Sequence, residues 1–270
     1  ASLFPVANED EFEDSLVALV EAVLSASLSP EGGGGGVGLC SFSHITSMPS
    51  LVLPIQRLAQ ACHDITGATV VIDGAHALGN LQANLDVTNT GADVYVSNGH
   101  KWFFTPKGAC VLWVSPRFQP PMDQSEQPYL TPGQAVYPVV ISNEGSAPTP
   151  FGKLFSWEGT KDYGAFLAFP AAMEWRESVG GSEAIVEYLH TLAAQGGDLL
   201  AEAWGTATLV PSGLSSAAEI ASGPSSHKDG ADSSSSSSSS STDGSPGRLL
   251  SAMVTVELPT SNCTLAASLP

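Results

Sequence analysis

The chain has 270 residues, 43% of them hydrophobic and 13% charged, enough apolar material for at least one sizeable core. Its formal net charge is -18, from 27 acidic and 9 basic residues, which argues against the basic patch that a nucleic-acid or anionic-membrane surface needs. No apolar run is long enough to span a bilayer, no signal-peptide pattern opens the chain, and Cys40, Cys62, Cys110 and Cys263 lack the spacing of a zinc site.

Leu16, Leu19, Val20, Val23 and Leu24 recur at helical spacing and predict a helix over 14–26. Pro30 and the run Gly32 to Gly36 end it. That run lacks the Gly-Lys-Ser/Thr of a phosphate loop and reads as a flexible loop. Residues 37–42 form a short apolar stretch expected to be a buried strand. Pro54 then opens a helix with Ile55, Leu58, Ala59 and Cys62 facing inward, and Gly67 punctuates it. Residues 69–72 read as a buried parallel strand that stops at Asp73-Gly74. Residues 94–96 and 110–114 are further strand candidates. Cys40, Cys62 and Cys110 lie in apolar stretches and read as buried free thiols, which suits a reducing compartment such as the cytoplasm.

Residues 163–178 and 182–204 are predicted helices separated by Gly180-Gly181, with Gly196-Gly197 expected to interrupt the second. From about 211 to 247 the chain is mostly Ser, Gly, Ala and Asp, a composition that buries too little apolar surface to offset chain entropy. Met253, Val254 and Val256 then suggest a strand within 249–258. Short strands alternating with amphipathic helices imply an α/β fold with a mostly parallel sheet.

The chemistry concentrates between residues 70 and 113. Asp73 closes a buried strand, and open α/β sheets bind ligands beyond the carboxyl ends of their strands. A carboxylate there can hold a positive charge such as a protonated pyridinium nitrogen. Lys101 follows another strand at the same edge, where desolvation and cationic neighbours favour a nucleophilic amine. Each residue alone has a plainer reading. A strand-end Asp before Gly serves as a turn residue or helix cap, a His-Lys pair in a loop is solvated, and His76 alone is a hydrogen-bonded structural histidine. Their occurrence together in a βα setting puts the functional reading on an equal footing.

The sequence resembles the class V aminotransferase family of pyridoxal-phosphate enzymes, in the isopenicillin-N-epimerase-like and L-cysteine-desulfhydrase-like branch. The resemblance rests on Ser43-His-Ile-Thr-Ser-Met-Pro49, Asp73-Gly-Ala-His76, Tyr95-Val-Ser-Asn-Gly-His-Lys-Trp102, Trp157-Glu-Gly-Thr-Lys-Asp162, Ala203-Trp-Gly205 and the stretch from Ala252 to Pro259. It implies an aspartate-aminotransferase-like, fold type I architecture. Residues 1–178 would be part of the cofactor-binding large domain, and 179–270 a linking helix and the start of a small α+β domain.

The resemblance also implies roles. Lys101 would carry pyridoxal 5'-phosphate as a Schiff base, Asp73 would hold the pyridinium proton, and His76 would stack over the ring. His100 would contact the phosphate. Relatives place a serine three residues before the lysine for that phosphate; Asn98 stands there in this chain and Ser97 precedes it, so both are candidates. Ser47 occupies the place of an asparagine near the ring oxygen. Gly159 and Thr160 match a segment that reaches the phosphate from a neighbouring subunit, implying a homodimer with shared active sites.

The implied activity is cleavage of a carbon–sulfur bond in cysteine or a related amino acid, giving pyruvate, ammonia and sulfide. Transamination or epimerisation on the same cofactor is the nearest alternative, and a catalytically incomplete remnant is another. No cysteine is placed as a persulfide carrier. An upstream phosphate-binding segment of the family is not recognisable before Asp10, and Arg248 is a poor substitute for the carboxylate-binding arginine of its later domain. The chain is therefore expected to be a fragment or a degenerate copy.

Overall fold

Asn8 starts the first helix by accepting a hydrogen bond from the Glu11 N–H at 3.2 Å, and Glu9, Asp10 and Glu11 place negative charge in the first turn. This cap moves the start of α1 (Glu9–Ser27) ahead of its apolar stripe. The computed structural model describes residues 8–81, 85–119, 135–138, 151–155, 159–211 and 249–259. Val17 and Leu24 are the buried residues of α1, whereas Leu19 and Val23, expected on the inner face, are exposed.

The sheet is built from β1 (Leu39–Ser43), β2 (Thr69–Asp73), β3 (Val94–Asn98) and β4 (Cys110–Val114), in that spatial order. β1, β2 and β3 are parallel, and β4 runs antiparallel to β3. Between β1 and β2 the chain crosses through α2 (Ile55–Thr66), which Gly67 ends in the left-handed conformation at φ 67°. Leu24, Cys40, Ile55, Cys62, Val70 and Ile72 form the main core between these helices and the sheet. Among the described residues β4 lies at the edge of the sheet, and Cys110 is exposed rather than buried as expected. Cys40 and Cys62 are buried free thiols.

At the amino end of the sheet, the buried Asp93 carboxylate accepts from the Val70 N–H at 2.8 Å and from Arg117 Nε at 2.8 Å. It also meets His63 Nε2 at 3.1 Å. These bonds tie β2 to β3 at that end.

The later helices are α3 (Phe151–Leu154), α4 (Gly164–Leu167), α5 (Phe169–Ser178) and α6 (Gly181–Trp204). The single helix expected over 163–178 is divided in two, because Pro170 has no N–H to give the Phe166 carbonyl. The expected break at Gly196-Gly197 does not occur, and α6 runs through both glycines. Gly197 is needed for packing instead: a Cβ there would lie 2.7 Å from Val254 Cγ2. The strand expected within 249–258 is reduced to one antiparallel bridge, Thr208 with Val256.

Leu249 and Leu250 pack with Leu51, Leu209 and Val210 in a second cluster. Val52 N–H donates to the Leu249 carbonyl at 3.0 Å, which fixes this segment against the loop after β1. Most of the serine-rich stretch expected over 211–247, together with Trp157, Glu158, Arg248 and Cys263, lies outside the described residues. Among the described residues no helix is long and apolar enough to cross a membrane.

Candidate active site

Three loops leave the carboxyl ends of the parallel strands and converge. β1 ends at Ser43, paired with Asp73, and Asp73 in turn pairs with Val96 of β3. The register therefore puts the loops that begin at His44, Gly74 and Gly99 side by side. His44 N–H donates to the Asp73 carbonyl at 2.9 Å, and Gly74 N–H donates to the Val96 carbonyl at 2.7 Å.

Asp73 is exposed at the end of β2, and its Oδ1 accepts from the Ala75 N–H at 2.9 Å. The chain then turns through residues 74–80, with the Ala77 N–H bonded to the Gly74 carbonyl at 2.8 Å. Ser97 braces this turn from β3: its hydroxyl donates to the Gly74 carbonyl and accepts from the Leu78 N–H at 3.2 Å. Ser97 is buried, so its hydroxyl holds the turn that carries His76. Asn98 is the last residue of β3 and pairs with Cys110.

His76 projects from the turn to meet the loop after β3. Its Nε2 lies 3.2 Å from Lys101 Nζ, and its Nδ1 accepts from Trp102 Nε1 at 3.2 Å. Burial lowers the pKa of His76, the Lys101 charge lowers it further, and Asp73 opposes them. One imidazole is thus within the field of both the amine and the carboxylate. Trp102 was not among the residues expected at the site. Its place directly after Lys101 was visible, but the contact with His76 is a tertiary one.

Next to Asp73 in the chain fold, His44 Nδ1 and the Tyr95 hydroxyl share a hydrogen bond of 2.8 Å. Burial pulls His44 down to about 4, so it stays neutral. Burial, and then the negative charge of Asp73, raise the Tyr95 phenol, which keeps it protonated. Gly74 is required where Tyr95 passes: a Cβ would stand 2.3 Å from Tyr95 Cε1.

The Lys101 loop is anchored from behind. Arg176 of α5, 1% exposed, donates through Nη1 to the Trp102 carbonyl at 2.9 Å. Its guanidinium lies 5.0 Å from the Phe103 ring centre and 5.5 Å from that of Phe104. Phe104 has φ 69°, a conformation that L residues seldom adopt. Sequence reading gave no signal for Arg176, which lies 74 residues from Trp102.

The remaining expected residues are distributed as follows. His100 is half-buried, and its Nδ1 has no hydrogen-bond partner among the described residues. Ser47 is exposed on the loop after β1. Gly159 has φ 91°, and its carbonyl accepts from the Tyr163 hydroxyl at 3.0 Å. Thr160 is exposed. Among the described residues no hydrogen bond or ion pair joins Gly159 or Thr160 to Lys101, Asp73 or His76.

An amine, an imidazole and a carboxylate thus lie at the carboxyl edge of a mostly parallel α/β sheet, the edge at which open α/β sheets bind ligands. The chain belongs to the class V aminotransferase family, whose model matches residues 34–233. Members of that family work with pyridoxal phosphate.

A 205-residue stretch is 36% identical to the putative L-cysteine desulfhydrase 1 of Oryza sativa subsp. japonica, covering 75% of this chain and 38% of that protein. The L-cysteine desulfhydrase of Arabidopsis thaliana is 36% identical over 174 residues, 64% of this chain and 35% of its own length. The chain therefore spans little more than a third of the relatives it matches. The apo structure of a cysteine desulfurase from Thermococcus onnurineus NA1 superposes with a TM-score of 0.50 at 19% identity, over 72% of this chain and 43% of that one. The fold is that of pyridoxal-phosphate enzymes of fold type I.

Proposed function

We propose that this chain carries the lysine-bearing half of a pyridoxal-phosphate active site that cleaves a carbon–sulfur bond in cysteine or a related amino acid. The observation that carries the reading is the approach of Lys101 Nζ to His76 Nε2, at 3.2 Å, on the sheet edge that Asp73 closes. The residues fit the cofactor. Lys101 supplies the amine, Asp73 the carboxylate for a ring nitrogen, and His76 an imidazole face. His100 Nδ1 is buried with no partner among the described residues, and a buried nitrogen of that kind calls for a ligand atom. An anionic phosphate oxygen satisfies it.

When bound, pyridoxal phosphate supplies the electron sink that makes a Cα proton removable and lets a β-substituent depart. Lys101 Nζ is the general base for that Cα proton. Asp73 keeps a proton on the ring nitrogen through its negative charge. His76 would lie against the ring, and Tyr95 and His44 are fixed to each other by their mutual bond. For cysteine the balance is one water consumed and pyruvate, ammonia and hydrogen sulfide released. The sulfur specificity is supported by the likeness to proteins named L-cysteine desulfhydrase.

Gly159 and Thr160, which among the described residues make no hydrogen bond to Lys101, suit a place at the phosphate of a partner subunit in a homodimer. The buried thiols Cys40 and Cys62 suit a reducing compartment, the cytoplasm.

The test is to give the intact protein L-cysteine and pyridoxal phosphate and assay the products. Pyruvate and sulfide in equal amounts support the reading. A 2-oxo acid formed only with an amino acceptor, or a D-amino acid, would move it to transamination or epimerisation.

A further inference from the structure

An indole Nε1 carries a hydrogen and offers no lone pair, so it can only donate. Its 3.2 Å bond to His76 Nδ1 therefore requires that this nitrogen be unprotonated. A neutral imidazole has a single N–H, so the hydrogen sits on Nε2, the atom 3.2 Å from Lys101 Nζ. The doubly protonated ring would set one N–H against the indole N–H. It is also disfavoured by burial, and by the charge of Lys101 whenever that side chain is protonated, against the weaker pull of Asp73.

The consequence falls on Lys101. With a hydrogen on Nε2, the 3.2 Å contact is a hydrogen bond only when Nζ accepts, which an amine does and an ammonium cannot. We infer that Trp102 is a positioning residue: its indole N–H fixes His76 in the Nε2–H tautomer, which turns that N–H toward Lys101 Nζ as a donor to the amine that attacks an aldehyde. The Trp102 backbone is fixed by Arg176, whose Nη1 reaches the Trp102 carbonyl at 2.9 Å, so the indole is presented from a braced loop. The titratable and charged groups around the pair are Asp73 at the end of β2, His76 on the turn after it, and Lys101 and His100 on the loop after β3. The inference rests on Lys101 being the cofactor lysine.

The experiment uses the intact protein without cofactor and reads the His76 ring by histidine 15N resonances, which differ for protonated and bare nitrogens. The signal is assigned with His76→Gln. The wild type is expected to show hydrogen on Nε2, and Trp102→Phe, which keeps the aromatic bulk but has no N–H, to show both tautomers. Lys101→Met is expected to keep the Nε2–H form, because the indole sets it. A second readout is the rate at which borohydride fixes pyridoxal phosphate to Lys101 at one fixed pH. Trp102→Phe is expected to slow that labelling about ten-fold, the loss of roughly one hydrogen bond to the amine.

Hydrogen on Nδ1 in the wild type, an unchanged tautomer in Trp102→Phe, or a switched tautomer in Lys101→Met overturns the role of Trp102. If Trp102→Phe does not fold, the wild-type and Lys101→Met spectra still decide it. A changed tautomer with an unchanged labelling rate overturns the link to Lys101. Absence of any label on wild-type Lys101 strikes the proposed function instead, and the tautomer spectra still report on Trp102.

Discussion

The Tyr95 hydroxyl, on β3, and His44 Nδ1 share a hydrogen bond of 2.8 Å, joining residues 51 positions apart. The rings meet edge to face, with centroids 5.9 Å apart. This pair makes the stability of the fold depend on pH. Unfolded, His44 takes a proton below its ordinary 6.5; folded, burial delays that to about 4. The unfolded chain binds the extra proton in between, so the contribution is complete above 6.5 and is lost as pH falls towards 4. The loss amounts to about 3 kcal/mol at full extent. Denaturant midpoints measured from pH 7 down to about 4.5 should fall more steeply for the wild type than for His44→Gln, which does not titrate there. Equal slopes would contradict the assignment.

Gly74 should not tolerate a side chain. A Cβ would stand 2.3 Å from Tyr95 Cε1 and 2.4 Å from its hydroxyl oxygen, and the ring is held by His44 and cannot retreat cheaply. Gly74→Ala is expected to cost about 1–3 kcal/mol by chemical denaturation. Gly38→Ala, where nothing lies within 4 Å of the new carbon, should cost much less and serves as the control.

Arg176→Met should loosen the Lys101 loop. It removes the donor to the Trp102 carbonyl and both bonds to the Ser182 hydroxyl, at 3.3 and 3.2 Å. The bared carbonyl alone predicts a loss of about 1–3 kcal/mol. Amide exchange over 102–105 should accelerate, because Phe104 at φ 69° depends on its surroundings to stay there. A stability change within about 0.5 kcal/mol, as for an ordinary surface substitution, would show that the arginine does not anchor the loop.

Much of this was legible in the chain. Strands β1, β2 and β3 announce themselves as short apolar runs, and β2 ends at Asp73 as a buried parallel strand should. Because parallel strands share one functional edge, the nearness of Asp73, His76 and Lys101 followed from topology before any contact was known. Local patterns failed where the deciding partner is remote. Gly196-Gly197 reads as a break, yet Val254 packs on Gly197 and α6 continues. Cys110 reads as core, yet among the described residues β4 is a sheet edge. The dependence of His76 on Trp102 and of Trp102 on Arg176 leaves no periodic trace, since neither contact repeats.

Asp73→Asn separates structure from chemistry. The amide oxygen still accepts from the Ala75 N–H, so folding should be nearly unchanged. The negative charge is lost, and turnover of L-cysteine to pyruvate should drop on the order of 10²–10³-fold. Full activity in this variant would mean that no charge is held at the end of β2.

The central claim is that Lys101 is the residue that binds pyridoxal phosphate covalently. Incubating the intact protein with the cofactor, reducing with borohydride and mapping the peptides by mass tests it directly. A single pyridoxyl-modified peptide containing Lys101 is expected, absent from Lys101→Ala. Modification centred on Lys107, Lys153 or Lys161, or a Lys101→Ala protein labelled as fully as the wild type, would contradict it.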